Sequence, residues 1–106
     1  TENNKIIAEF MGIADEIETG ATSLIQIEGI TGYYTNNNLK FHTDWNWLME
    51  VVEKIESLNV VVEIRENVCY IETSQNDYTS ELEPTKIQAT YKACLAFIKW
   101  YNEQII

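Results

Sequence analysis

At 106 residues, 45% hydrophobic and 23% charged, the chain is long enough for one globular domain with a modest core. Seventeen acids against seven bases leave a formal charge of −10. That argues against direct binding of nucleic acid, whose phosphate backbone needs a basic stripe, and against docking on anionic membranes. Arg65 stands alone, so no arginine cluster for phosphate exists. No stretch is apolar for long enough to span a bilayer, and the first residues lack the basic-then-apolar run of a signal peptide. Cys69 and Cys94 sit in apolar company and read as two reduced, buried thiols, which points to the cytoplasm.

Ile6, Ile7, Phe10 and Met11 make a helical stripe, with Asn3 or Asn4 available as its cap. Gly12 weakens or ends that helix, and Ile13, Ala14 and Ile17 allow a second short turn made acidic by Asp15, Glu16 and Glu18. Thr22 to Glu28 reads as a strand. Tyr33 and Tyr34 lead into Asn36-Asn37-Asn38, a turn signal, and Leu39 to Phe41 resumes an extended path. Residues 20–41 therefore predict a hairpin with an irregular first strand.

The clearest helix follows. Leu48, Val51, Val52, Ile55 and Leu58 recur at three- and four-residue spacing, with Trp45 one turn earlier on the same stripe. Thr43 or Asp44 caps it. Glu50, Glu53, Lys54 and Ser57 fall on the wet side, Glu50 preceding Lys54 in the favoured orientation for an ion pair. Asn59 suits a left-handed C-cap. Val60 to Arg65 is the clearest strand, Glu66-Asn67 a turn, and Val68 to Thr73 the returning strand. Val60, Val62 and Ile64 face one way and Val61, Glu63 and Arg65 the other, while on the returning strand Cys69 and Ile71 share the core face and Tyr70 and Glu72 turn outward. Ser74 to Glu83 reads as one long polar loop holding Asp77, Tyr78, Glu81 and Glu83 and no base. Pro84 opens a last helix from about Thr85 to Glu103. Its stripe is Ile87, Tyr91, Cys94, Leu95, Ile98, Tyr101 and Ile105, widened by Phe97 and Trp100.

The expected fold is α+β over residues 1–106 as a single domain. Two hairpins form a small antiparallel-rich sheet packed with three helices, in the order α-ββ-α-ββ-α.

Chemistry is sparse. His42 is the only histidine. His42-x-Asp44 lacks a second anchor for a metal, and the two cysteines lack zinc-ligand spacing, so no metal or other cofactor is expected. The bland reading has His42 hydrogen-bonding locally beside the helix start. Cys94, on a buried stripe, would be inert as a nucleophile. With no phosphate loop and no nucleophile elbow, the chain does not read as an enzyme. A deep pocket converging on His42, Asp44 and Tyr70 would revive that possibility. Trp47 lies off the main stripe of its helix and is the candidate exposed aromatic, against packing beneath the first helix or the 30–38 turn.

Three stretches, Asn4 to Gly12, Phe41 to Leu58 and Ala93 to Asn102, resemble small proteins of bacteriophages and prophages, especially those of Bacteroidetes hosts. Those proteins carry an IAEFMG opening, an H-[ST]-x-W-x-W-L-M-x-V-V-E-K-I centre and a closing FIKWY helix. The chain is similar in this to the phage α-β-α sandwich domain family. These motifs are mostly core residues, and they carry no catalytic positions over to this chain. Residues 13–34 and 74–83 have no counterpart in the pattern. The resemblance implies a phage-derived protein in the cytoplasm of a bacterial host.

Acids gather in three places: Asp15, Glu16 and Glu18; Glu50, Glu53 and Glu56; and Glu72, Asp77, Glu81 and Glu83. Spread over a folded surface, carboxylates can compete for a cationic groove that normally holds RNA or DNA. The sequence thus suggests a non-enzymatic acidic binding protein whose partner is a host protein with a basic surface. Its most concrete version inhibits a host nucleic-acid-handling defence effector, in the manner of an anti-CRISPR protein. The expected contacts are Asp15, Glu16, Glu18, Trp47, Glu50, Glu53, Asp77, Tyr78, Glu81 and Glu83. The alternative is a phage structural or assembly accessory, a homo-oligomer formed through the wide apolar face of the last helix.

Overall fold

The computed structural model describes residues 2–12, 23–27, 30–34, 39–75, 77–80 and 83–104. Helix α1 spans Glu2–Phe10 and buries Asn4, Ile7, Ala8 and Phe10 along one face. It stops at Gly12, which adopts φ +83° and donates its amide to the Glu9 carbonyl at 3.1 Å. A side chain disfavours that left-handed conformation, so glycine is the residue that ends the helix. The second acidic turn expected after it, with Asp15, Glu16 and Glu18, lies outside the described residues.

Strands β1 (Ser23–Ile27) and β2 (Ile30–Tyr34) pair antiparallel, with Ile27 opposite Ile30. This register corrects the expected hairpin. The return strand is Ile30–Tyr34, which begins three residues after Ile27; the turn expected at Asn36-Asn37-Asn38 lies outside the described residues. Ile30, Thr31, Tyr33 and Tyr34 have the branched and aromatic side chains that strands favour. Leu39 to Phe41 does not continue as a strand either. The amides of Thr43 and Asp44 both donate to the Lys40 carbonyl, at 3.1 and 2.9 Å, closing a turn that leaves Leu39 and Phe41 buried.

Helix α2 (Trp45–Glu56) starts at Asp44, whose backbone is extended and whose carboxylate accepts from the Asn46 amide at 2.8 Å. Trp47, Leu48, Val51, Val52 and Ile55 are buried. The two tryptophans thus exchange the places the pattern suggested: Trp45 is 37% exposed and Trp47 only 3%. Both flank the apolar stripe, on opposite sides. Phe41, entering just before the helix, meets the Trp47 flank edge-on at a ring distance of 5.0 Å and covers it. Lys54 donates to the Phe10 carbonyl and lies 4.9 Å over the Phe10 ring. Its charge suits the carbonyl-rich end of α1. Asn59, at φ 62°, holds the expected left-handed position after the helix.

Strands β3 (Val61–Arg65), β4 (Val68–Glu72) and β5 (Asp77–Ser80) form a three-stranded antiparallel sheet in sequential order. The chain order is α-ββ-α-βββ-α, not α-ββ-α-ββ-α, because part of the expected polar loop at 74–83 pairs with β4. Tyr78 faces Ile71 across that pair and meets Phe97 edge-on at 6.3 Å. One inward aromatic side chain anchors a strand whose other residues are polar.

Helix α3 (Lys86–Gln104) lies across the inner face of β4 and β5 and also packs on α1 and α2. Ala89 and Ala93 are fully buried at these contacts, where their small size permits close approach. Cys69, Ile71, Cys94, Phe97 and Ile98 complete the core between sheet and helix. On the opposite face Val61 is 62% and Tyr70 38% exposed. Among the described residues no helix covers that face. Among them, too, no helix is long and apolar enough to cross a membrane.

Candidate functional site

Strand alternation builds the open face. Val61, Glu63 and Arg65 of β3, Tyr70 and Glu72 of β4, and Asp77 and Thr79 of β5 are all exposed. The register sets them in rows: Val61, Glu72 and Asp77 in one, Glu63, Tyr70 and Thr79 in the next. Tyr70 therefore stands at the centre, with Glu63 beside it on β3, Thr79 beside it on β5 and Glu72 next along β4. Arg65, one row further on, is the only base on this face among the described residues, and its guanidinium already holds Glu63 at 2.7 Å. Exposed as both partners are, that pair adds little stability, but it does neutralise Glu63. Glu72 and Asp77 remain, directly opposite one another on neighbouring strands. Like charges in that position repel.

The structure scatters the residues expected at the docking site. Asp77 belongs to the open face. Tyr78, its neighbour, turns inward onto Phe97 and Trp100, with ring distances of 6.3 and 5.7 Å. Burial raises the pKa of its hydroxyl. Trp47 is buried against Phe41 and offers no surface. Glu50 is half-buried and Glu53 exposed, both on α2, away from the strand rows. Glu83 is not a free acid, since it forms an ion pair with Lys92, and its backbone carbonyl accepts from the Asn67 side-chain nitrogen at 3.0 Å. Asp15, Glu16, Glu18 and Glu81 lie outside the described residues. Val61, Glu63, Tyr70 and Glu72, which share the open face with Asp77, are not among the expected contacts, although Glu72 belongs to one of the acidic clusters.

The enzyme-like constellations do not assemble. Tyr70 sits on the open sheet face, while His42 borders a cleft of about 370 Å³ with Thr43, Tyr91 and Lys92. Asp44 is engaged as the α2 cap. The expected local hydrogen bond of His42 is instead a tertiary one: Nδ1 lies 2.9 Å from the Asn4 side-chain nitrogen. Cys94 is buried and its thiol is held far above the ordinary range by burial, then by the neighbouring Cys69. Among the described residues no group of three His, Cys, Asp or Glu side chains could hold a metal ion.

The apolar face invoked for self-assembly is largely spent within one protomer. Phe97 is 1% exposed, and Trp100 is half-buried against Phe97 and Tyr78. No protein-family model matches the chain, and no curated protein or solved structure matches it significantly.

Proposed function

We propose that the protein is a non-enzymatic binding domain that docks the open face of its sheet on a basic surface of another protein. The observation that supports this is an exposed tyrosine beside the Glu72–Asp77 row on a face that nothing described covers. Glu72 and Asp77 would steer a cationic partner into contact, and Tyr70 with Val61 would supply the apolar anchor. The formal charge of −10 extends the attraction over the whole molecule. A surface basic enough to be matched is one that otherwise holds RNA or DNA. The concrete form of the reading is therefore an inhibitor that occupies the nucleic-acid groove of a host defence effector, as a phage-derived protein would.

The test is affinity capture with the tagged protein from a nuclease-treated bacterial host lysate. The wild type is compared with a variant carrying Tyr70→Ala, Glu72→Lys and Asp77→Lys. All three residues are exposed, so the variant keeps its fold, which circular dichroism checks. The expected result is a basic nucleic-acid-binding protein that is retained by the wild type, released by salt and lost by the variant. Equal capture by both proteins, or no basic partner, would sink the proposal.

A further inference from the structure

The cleft of about 370 Å³ lies where the turn before α2 meets the first turns of α3, and His42, Thr43, Glu83, Gln88, Tyr91 and Lys92 line it. Its volume falls within the range of small-molecule sites. It shares no residue with the open sheet face. The bonds behind its walls fix what it offers. The Asn4 side-chain nitrogen donates to the Leu39 carbonyl at 3.1 Å and stands 2.9 Å from His42 Nδ1. Nδ1 must then accept, which puts the ring proton on Nε2. Tyr91 supports this from α3: its hydroxyl donates to the Asn4 oxygen at 2.8 Å, and its ring meets the imidazole edge-on at 6.1 Å. Gln88 Oε1 accepts from the Thr85 hydroxyl at 2.9 Å, so Gln88 presents its amide nitrogen. Lys92 holds one oxygen of Glu83, Oε1. Among the described residues His42 Nε2, Gln88 Nε2 and the second Glu83 oxygen have no partner.

We infer that this cleft binds a small uncharged amide. The carbonyl oxygen of such a ligand accepts from His42 Nε2 and Gln88 Nε2, and its N–H donates to the second Glu83 oxygen. The half-buried Tyr91 ring gives the apolar part of the ligand a surface. Charge argues against the alternatives. Glu83 already neutralises Lys92, so an anion would meet a carboxylate and no spare cation, in a chain of formal charge −10. A cation would meet the Lys92 ammonium and two N–H donors. A metal ion would need the lone pair of Nε2, where the proton sits.

Benzamide, with acetophenone and benzoate as controls of matching shape, would be titrated into 15N-labelled protein. The imidazole nitrogens of His42 are read in the same spectra, and should show the proton on Nε2. The expected result is saturable shifts with benzamide, centred on the His42 ring and the Gln88 side-chain amide. Acetophenone keeps the carbonyl and lacks the N–H, so it should bind about fivefold more weakly, the loss of one hydrogen bond. Benzoate should not saturate. The affinity for benzamide would be unchanged between low and high salt, which separates this site from the salt-sensitive open face. His42→Ala and Gln88→Ala, both at exposed positions, should each weaken benzamide about fivefold. Glu83→Gln removes the carboxylate and releases Lys92, so benzoate should then bind. No saturable shift with benzamide, shifts centred away from the cleft, a ring proton on Nδ1, benzoate bound as tightly as benzamide by the wild type, or an unchanged preference in Glu83→Gln would each overturn the inference.

Discussion

Asn4 is 1% exposed and sits at the junction of three segments of the chain. Its amide nitrogen donates to the Leu39 carbonyl at 3.1 Å, and its oxygen accepts from the Tyr91 hydroxyl at 2.8 Å. A carbonyl can only accept, so the nitrogen must be the atom facing Leu39. The same nitrogen faces His42 Nδ1, which must then be the unprotonated ring nitrogen, leaving the proton on Nε2. Burial meanwhile raises the pKa of the Tyr91 hydroxyl. Asn4→Asp keeps the shape but points carboxylate oxygens at a carbonyl. It should cost about 3 kcal/mol in urea unfolding, because a buried polar group loses its partner and a charge is stranded. His42→Ala, at an exposed position, should cost under about 1 kcal/mol in the same measurement. An Asn4→Asp variant as stable as the wild type would refute the assigned orientation. The caps at Asp44 and Asn59 were legible in the sequence, but this junction was not: an asparagine near a helix start reads as a cap. Its partners lie 35, 38 and 87 residues away.

Elements were far more legible than their junctions. Every helix with a long apolar period, and the strands β3 and β4, stand where the pattern puts them, because periodicity is a property of the element alone. Trp45 and Trp47 show the limit. Both flank the same stripe, and only the path of Phe41 decides which is covered. β5 escaped notice because four residues with one inward aromatic show no period. The junction of β4 with α3 has a consequence in alkali. Cys69 on β4 hydrogen-bonds with Thr90 on α3, and burial still pushes its pKa up to about 11. Cys94, further along α3, is raised as well. In the unfolded chain both thiols ionise near about pH 8.5. Between that value and pH 11 the folded state holds protons that the unfolded state has released. Stability is therefore full below the unfolded pKa and is lost as pH rises through this window, at up to about 1.4 kcal/mol per unit for each thiol. The urea midpoint should fall steadily across it, and Cys69→Ser should flatten the fall. A midpoint that does not move up to pH 11 would mean that the thiols are not held neutral by packing between sheet and helix.

Across the whole molecule the charge acts in two opposed ways, and salt separates them. Folding gathers a formal charge of −10 onto one small surface, so the compact state repels itself. The open sheet face adds to this by setting Glu72 directly across from Asp77. Raising the salt from about 0.01 M to about 0.15 M shortens the screening length from about 30 Å to about 8 Å. The thermal midpoint should therefore rise. Glu72→Lys removes the repulsion and places a cation opposite Asp77, which should add about 0.5 kcal/mol, or about 3 °C at the midpoint. Docking on a basic surface has the opposite sign: salt weakens it, and Glu72→Lys removes one of its attractive groups. The proposed function thus requires one substitution to stabilise the fold and damage binding together, as expected of a residue kept for a partner at the expense of stability. Calorimetry on Glu72→Lys, paired with capture of the basic partner, reads both signs in one variant. A higher midpoint with undiminished capture would reduce the acidic face to a solubility device. A lower midpoint would show that Glu72 serves the sheet itself, through a contact that outweighs its repulsion with Asp77.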